Sequence, residues 1–314
     1  MMISRKVAVV ALLCIPLAAA GCSSSSSSSA ASGGASSTSA AGSPSAAASS
    51  SATGSGPVNV LYAGSLVNLM QKQVGPAFQQ ATGYGVTGFS GGSKDLAAEI
   101  KGKVHQGDVF ISASPKTTKT LVGAAGGNWV SWYGTFATSP LVIGYNANSK
   151  FANDLKTMPW YKAITQPGLK LGFTDPATDP KGVLAAQAMT DTAKSKNLPA
   201  LAALSTNKSD IFPEETLVGR LQSGQLDAGF FYTAEATAAN IPTVPLTGED
   251  LKATYTITIL NKAPHEAGAE AFVSYLLGPD GQAVLKQDGF MLVSPPTVTG
   301  SGVPSGLSSV LPSQ

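Results

Sequence analysis

The chain has 314 residues, with 20 basic and 18 acidic side chains, two histidines and two cysteines. Arg5 and Lys6 sit at the head of a leader-like N-terminus; without them eighteen charges of each sign remain, so no clustered positive face is available for nucleic acid. Cys14 and Cys22 are the only cysteines, so beyond residue 22 the count excludes thiolate metal sites, thiol catalysis and internal disulfides.

Residues 1–22 read as a processing signal. Arg5 and Lys6 form its basic region, and Val7 to Ala20 is an apolar run too short for a comfortable membrane span. The run closes as Leu17-Ala-Ala-Ala-Gly-Cys22, which resembles the lipobox of bacterial lipoproteins, with Ala19 where leucine is usual. The resemblance implies cleavage before Cys22, lipidation of that cysteine, and anchoring on the extracytoplasmic face of the bacterial cell membrane. Residues 23–56 are Ser, Ala, Gly and Thr almost throughout and carry no charge, so they cannot bury a core. As a flexible coil such a tether has a mean reach of about 30 Å.

From Pro57 onward roughly 255 residues remain, enough for two lobes. The stretch Val58 to Ile100 reads as two strand–loop–helix units in tandem. In the first, Val58-Asn-Val-Leu-Tyr62 leads through Ala63-Gly64-Ser65 into an amphipathic run from Leu66 that ends at Gly83. In the second, Tyr84 to Phe89 leads through Ser90-Gly-Gly-Ser93 into a helix carrying Leu96 and Ile100. Serine is a good N-cap, and the first N–H groups of any helix lack internal partners. Two such ends aimed at one point suit an oxyanion.

Asp108 to Ala113 is an apolar strand, and Ser114-Pro115 opens a helix. Trp129 to Thr138 reads as an extended bridge, and Ser139 to Tyr145 as a strand crossing to the second lobe. There Lys170 to Thr174 is a strand, Asp175 to Gly182 a loop, and Val183, Leu184, Ala186 and Met189 mark a helix. Pro213-Glu-Glu-Thr216 opens a further helix closed by Gly224, Ala228 to Tyr232 is a buried strand, and Thr233 starts the next helix. Tyr255 to Leu260 is the returning strand, followed by helices over Pro264–Leu277 and Pro279–Lys286. The alternation predicts an α/β fold with a mainly parallel sheet. The expected division is 57–141 with 256–296 as lobe 1, 142–255 as lobe 2, and 297–314 as a loose Gly/Ser/Pro-rich tail.

Leu61-Tyr-Ala-Gly-Ser-Leu66, Gly91-Gly-Ser93, Gly107-Asp-Val-Phe-Ile-Ser-Ala113, Asp179-Pro-Lys-Gly182, Phe230-Phe-Tyr232 and Tyr255-Thr-Ile-Thr-Ile-Leu260, running to Gly289-Phe290, cover nearly all of Val58 to Pro295. In this order the chain resembles the molybdate and tungstate binding proteins of ABC importers, especially the tungstate-type branch. The resemblance implies a two-lobe periplasmic-binding-protein fold of type II with the ligand in the inter-lobe cleft. It further implies a monomer without cofactor that hands its oxyanion to a membrane permease. Family positions carry over to Ser65 and Ser93 as oxyanion donors, to Asp179 and Glu215 as second-lobe carboxylates, and to Tyr232. The family's turn cysteine is Lys181 here, which brings a cation to the site.

Hydroxyl and amide donors hold a tetrahedral dianion without a counter-charge. Carboxylates repel a dianion, unless its central atom is a large high-valent metal that accepts extra oxygen ligands. Asp179 and Glu215 would therefore ligate the Mo or W centre of the oxyanion and separate it from sulfate or phosphate; no free metal cation is called for. Each residue also has a structural reading: serines as caps, Asp179 as a turn residue, Glu215 as a helix-start charge, and Tyr232 as a core ring. Glu214 competes with Glu215, because the register at Pro213-Glu-Glu-Thr216 is open by one. Asp95 reads as a helix-start charge, and Arg220 as the partner of a surface carboxylate. An enzyme finds no support, since His105 and His265 read as surface residues and no nucleophile–base pair emerges. The sequence also admits ferric iron on Tyr62 and Tyr232, sulfate or phosphate in the same fold, and a surface protein for adhesion or sensing.

Overall fold

The computed structural model describes residues 54–311. The leader, Cys22, the tether up to residue 53 and residues 312–314 lie outside the described residues.

β1 (Gly56–Ala63) is central to one half of the sheet, with β2 (Tyr84–Gly91) and β3 (Val109–Ser112) parallel on either side of it. Its side chains alternate as a strand demands. Val58, Val60 and Tyr62 enter the main core, while Leu61 packs on the opposite face with Leu96, Ile100 and Phe110. A 3₁₀ turn, Gly64–Leu66, links β1 to α1, a helix in three consecutive segments, Val67–Leu69, Met70–Val74 and Gly75–Thr82. Gly83 stops it in the left-handed region at φ 83°. β2 then leads into α2 (Ser93–Gly102).

β4 (Trp132–Tyr145) is the long strand. It pairs with β8 (Lys252–Ile259) over Gly134–Pro140 and with β6 (Ala228–Tyr232) over Leu141–Tyr145, so a single strand carries the sheet from one half to the other. The order is β2-β1-β3-β8-β4-β6-β5, with β5 (Leu171–Gly172) at the far edge, and β7 (Thr243–Pro245) and β9 (Met291–Gly300) also on β4. The second half supplies α3 (Pro180–Lys196), α4 (Glu214–Gln222) and α5 (Thr233–Ala238); α6 (Glu266–Leu277) and α7 (Pro279–Gln287) return to the first.

Two expectations are corrected. The sheet is mixed: among the strands of the described residues only β1–β2, β1–β3 and β5–β6 are parallel, because β4 and β8 cross between the halves in opposite directions and pair antiparallel to each other and to all of their neighbours. The tail is not loose over 297–311. Thr297–Gly300 belong to β9, and Leu307 and Leu311 are buried, so its few apolar side chains outweigh its Gly/Ser/Pro composition. Among the described residues no helix is long and apolar enough to cross a membrane.

Candidate functional site

Both first-half serines are buried, and neither hydroxyl caps its helix. Ser65, inside the 3₁₀ turn after β1, is 5 % exposed and meets the Tyr255 hydroxyl at 3.1 Å. Ser93 is the first residue of α2 rather than its cap, and its Oγ accepts the Ala113 N–H at 3.1 Å. The N–H groups expected to face a ligand are engaged across the cleft. Lys94 and Asp95 donate to the Thr178 carbonyl at 3.0 and 3.3 Å, and Gly64 donates to Glu214 Oε2 at 2.9 Å. This close approach needs glycine at two positions. A Cβ on Gly92 would stand 2.6 Å from the Thr178 oxygen, and one on Gly64 would stand 2.9 Å from Glu214 Cγ.

From the other side come Asp179, Glu214 and Tyr232. Asp179 caps α3: its Oδ1 accepts from the Thr174 hydroxyl at 2.6 Å and from the N–H groups of Lys181 and Gly182 at 2.9 and 3.3 Å. Asp179 thus has a structural role, as a helix cap rather than a turn residue, yet this uses one oxygen only; Oδ2 is buried without a hydrogen bond. Glu214, not Glu215, turns inward. Both occupy the first turn of α4, where one residue is about 100° of rotation. That step leaves Glu214 3 % exposed against Gly64 and Glu215 at the open rim. Glu214 Oε1 and the Tyr232 hydroxyl are the other buried polar atoms without a hydrogen bond. Among the described residues these three atoms are the whole set of such side-chain atoms, and all belong to one cluster.

Burial raises the Glu214 carboxyl well above the usual glutamate range; Asp179 adds to the rise, and Lys181 opposes it. Burial likewise pushes the Tyr232 phenol up, with Asp179 adding. Tyr255, buried against Tyr232 with ring centroids 6.1 Å apart and planes at 76°, is also raised by burial, while its bond to Ser65 works the other way. Lys181 lies behind these groups, fully buried, with Nζ 2.8 and 2.7 Å from the two oxygens of Glu235 and 3.4 Å from Glu214 Oε1. Burial alone would lower its pKa, but Glu235, Glu214 and Asp179 hold it above the usual lysine range.

Tyr255 and Glu235 are the members that sequence reasoning missed. Tyr255 sits in an alternating Thr/Ile strand and reads as core. Glu235 is the only charge between Ala228 and Ala238, on a helix start where an acid is ordinary. That isolation was the available signal.

A cleft of about 360 Å³ has Asp179 and Glu214 of the cluster in its wall, beside Ser90 and Gly92, while Ser65, Ser93 and Tyr232 lie outside its lining. Its other ionisable residues are Asp95, Glu99, Asp175 and Glu215, all acidic. Burial, then Glu99 and Asp175, raise the Asp95 carboxyl. The cleft thus carries a negative potential that opposes a free dianion, unless the ligand can bond to carboxylate oxygen. Arg220 does not relieve it, nor does it pair with a carboxylate as expected. Its guanidinium lies over the Phe212 ring at 4.7 Å and bonds Gln225 and Thr216. Tyr62 points elsewhere, into a separate cavity with Gln71 and Gln79, so it does not join Tyr232. Among the described residues no group of three or more His, Asp or Glu side chains is arranged to hold a metal ion. His105 lies at the surface against Phe89 and Glu99; His265 Nδ1 is 2.9 Å from buried Asp108.

A mixed sheet whose two halves share one long strand, with polar side chains from both meeting beneath a cleft, defines an α/β solute-binding protein of the type II fold. The chain belongs to the bacterial extracellular solute-binding proteins: the family model matches residues 58–291. It is 30% identical over 228 residues to a protein of Haloferax volcanii named as a molybdenum-binding protein of an ABC transporter, covering 72% of this chain and 68% of that one. The molybdate/tungstate-binding protein WtpA of Thermococcus kodakarensis is 27% identical over 226 residues, 55% of this chain and 64% of its own. Among solved structures, the periplasmic molybdate-binding protein of Azotobacter vinelandii superposes with a TM-score of 0.60 at 24% identity, over 75% of this chain and 99% of that one. The sulfate-binding protein SubI of Mycobacterium tuberculosis reaches 0.57 at 18% identity, over 77% and 88%. These two share the fold. The resemblance drawn from the motifs is thereby met, and the named relatives are solute-binding transport proteins.

Proposed function

We propose that the chain captures molybdate or tungstate in this cleft and delivers it to the membrane permease of an ABC importer, held on the outer face of the membrane by lipid on Cys22. The observation that carries the reading is that the three buried side-chain polar atoms without a hydrogen bond among the described residues, Asp179 Oδ2, Glu214 Oε1 and Tyr232 Oη, gather in one cluster. A buried polar atom without a partner costs about 1–3 kcal/mol, and a binding site is where such a cost is recovered. The atoms also suit the chemistry: one hydroxyl donates to an oxo group, and two carboxylate oxygens with free lone pairs ligate a hard, high-valent centre. Ser65 and Ser93 add hydroxyls from the first half, and Glu214 takes the role first expected of Glu215. Sulfur and phosphorus offer carboxylates no such bond, so the acidic cleft rejects sulfate and phosphate. The likeness to molybdate- and tungstate-binding relatives supports the same ligand class.

No catalytic role is assigned, in keeping with relatives that are solute-binding transport proteins. Capture proceeds by closure of the two halves over the ligand. Titration of the full chain with tungstate, molybdate, sulfate, phosphate and ferric citrate, followed by calorimetry and by the fluorescence of Trp129, Trp132 and Trp160, tests the reading. Tungstate and molybdate should bind tightly, sulfate and phosphate only weakly, and ferric citrate not at all. Tight sulfate binding with no response to tungstate, or a response to ferric citrate alone, would overturn it.

A further inference from the structure

Lys181 is the one cation of the cluster, and its surroundings are not those of a ligand-contacting lysine. An ammonium has three donors. Two directions are taken by the Glu235 carboxylate at 2.8 and 2.7 Å, and Glu214 Oε1 lies in reach at 3.4 Å. The Phe231 and Tyr232 rings close over it at 5.6 and 5.7 Å. Glu235 also accepts the Tyr232 N–H at 3.3 Å. Glu214, Lys181, Glu235 and Tyr232 therefore form one connected unit, in which Glu214 Oε1 and Tyr232 Oη are buried without a hydrogen bond.

We propose that Lys181 is a positioning residue of the oxyanion site: from 3.4 Å its ammonium attracts Glu214 Oε1 and holds that carboxylate inward against Gly64, where Oε1 is shared with the ligand, and Glu235 serves to hold Lys181. This rests on the reading of the site as an oxyanion cradle. The physical need is plain. Glu214 is buried beside Asp179, and two buried carboxylates repel each other more strongly than exposed ones. The open cleft is adjacent, and without an attraction from behind, Glu214 gains by swinging out into it. Lys181 supplies that attraction from a fully buried place outside the cleft's lining. Its effect falls on ligands that use Glu214 as a bonding partner. It spares anions held by hydroxyls alone, so Lys181 sets selectivity.

The test uses the full chain carrying Lys181→Met together with Glu235→Gln, which removes both members of that ion pair with little change of volume, so that neither is left behind as an unpaired charge. Two readouts separate positioning from simple packing. The first needs no ligand: hydrogen exchange of the Gly64 amide reports whether Glu214 Oε2 still accepts from it, as it does at 2.9 Å here. The second is the ratio of tungstate to sulfate affinity. We expect a folded double variant whose Gly64 amide exchanges at least about tenfold faster and whose tungstate affinity falls at least about tenfold, the effect of one hydrogen bond to a charged group. Weak sulfate binding should be unchanged, so the ratio shrinks. An unchanged Gly64 amide overturns the proposal, as does faster exchange with selectivity intact. Should the unmodified chain take up no oxyanion, the reading of the site fails on its own, and Gly64 exchange still decides whether Lys181 holds Glu214.

Discussion

Tyr232→Phe should make the protein more stable and a poorer binder. The hydroxyl is fully buried, has no hydrogen-bond partner, and stands among Asp179, Glu214 and Glu235. Phenylalanine keeps the ring, including its edge-on contact with Tyr255 at 6.1 Å, and deletes only the unsatisfied group. Relief of a lone buried hydroxyl is worth about 1–2 kcal/mol. In a domain of this size that corresponds to a rise in melting temperature of about 2–8 °C. The same deletion removes a donor to a charged oxo group, worth about 1.5–3 kcal/mol, or about 10- to 100-fold in affinity. Thermal denaturation without oxyanion and calorimetry with tungstate measure the two effects separately. A variant that melts lower than the parent would show that the hydroxyl contributes to the fold. Unchanged affinity would show that it does not face the ligand.

Ser65→Ala should weaken tungstate binding about tenfold or more, by loss of a donor to a charged group, and should leave Tyr255 without its 3.1 Å partner; calorimetry reads the affinity, and an unaltered value would return Ser65 to a purely structural role. Glu214→Gln should abolish discrimination between tungstate and sulfate while Glu215→Gln leaves it intact, because only Glu214 is inside; equal effects would contradict the assigned register. Stability should also separate the Glu214 variant from its parent as a function of pH. Burial holds the Glu214 carboxyl above its unfolded range, so its ionisation costs folding energy, and the cost grows as pH rises above about 4.5. The melting temperature of Glu214→Gln relative to the parent should therefore climb between pH 5 and pH 8; a flat difference would mean that Glu214 ionises freely. Cys22→Ala should move the protein from the membrane fraction to the soluble one in a bacterial host, as checked by detergent partitioning.

The tandem strand–loop–helix units, the helix starts at Ser93, Glu214 and Thr233, and the glycine stops were legible because period, caps and left-handed positions are local properties of the chain. Sheet direction was not. Whether Tyr255 pairs parallel or antiparallel depends on which strand lies beside it, and β8 lies between β3 and β4, both remote in sequence. For the site, the residue types were readable and their partners were not. Serine at a helix start suggested a cap, yet Ser65 bonds a tyrosine 190 positions away, and Ser93 bonds the backbone of Ala113 just past β3. The choice between Glu214 and Glu215 is a matter of 100° around a helix, which only the packing against Gly64 decides. Lys181 could be flagged as a cation out of place, but its pairing with Glu235 spans 54 residues and has no sequence signature.

X-ray absorption at the tungsten edge on the tungstate-loaded chain counts the oxygens around the metal. Carboxylate ligation by Asp179 and Glu214 predicts six, with two bonds longer than the four oxo bonds, and a return to fewer in Glu214→Gln. Four equal short bonds in the unmodified chain would mean that the carboxylates do not touch the metal.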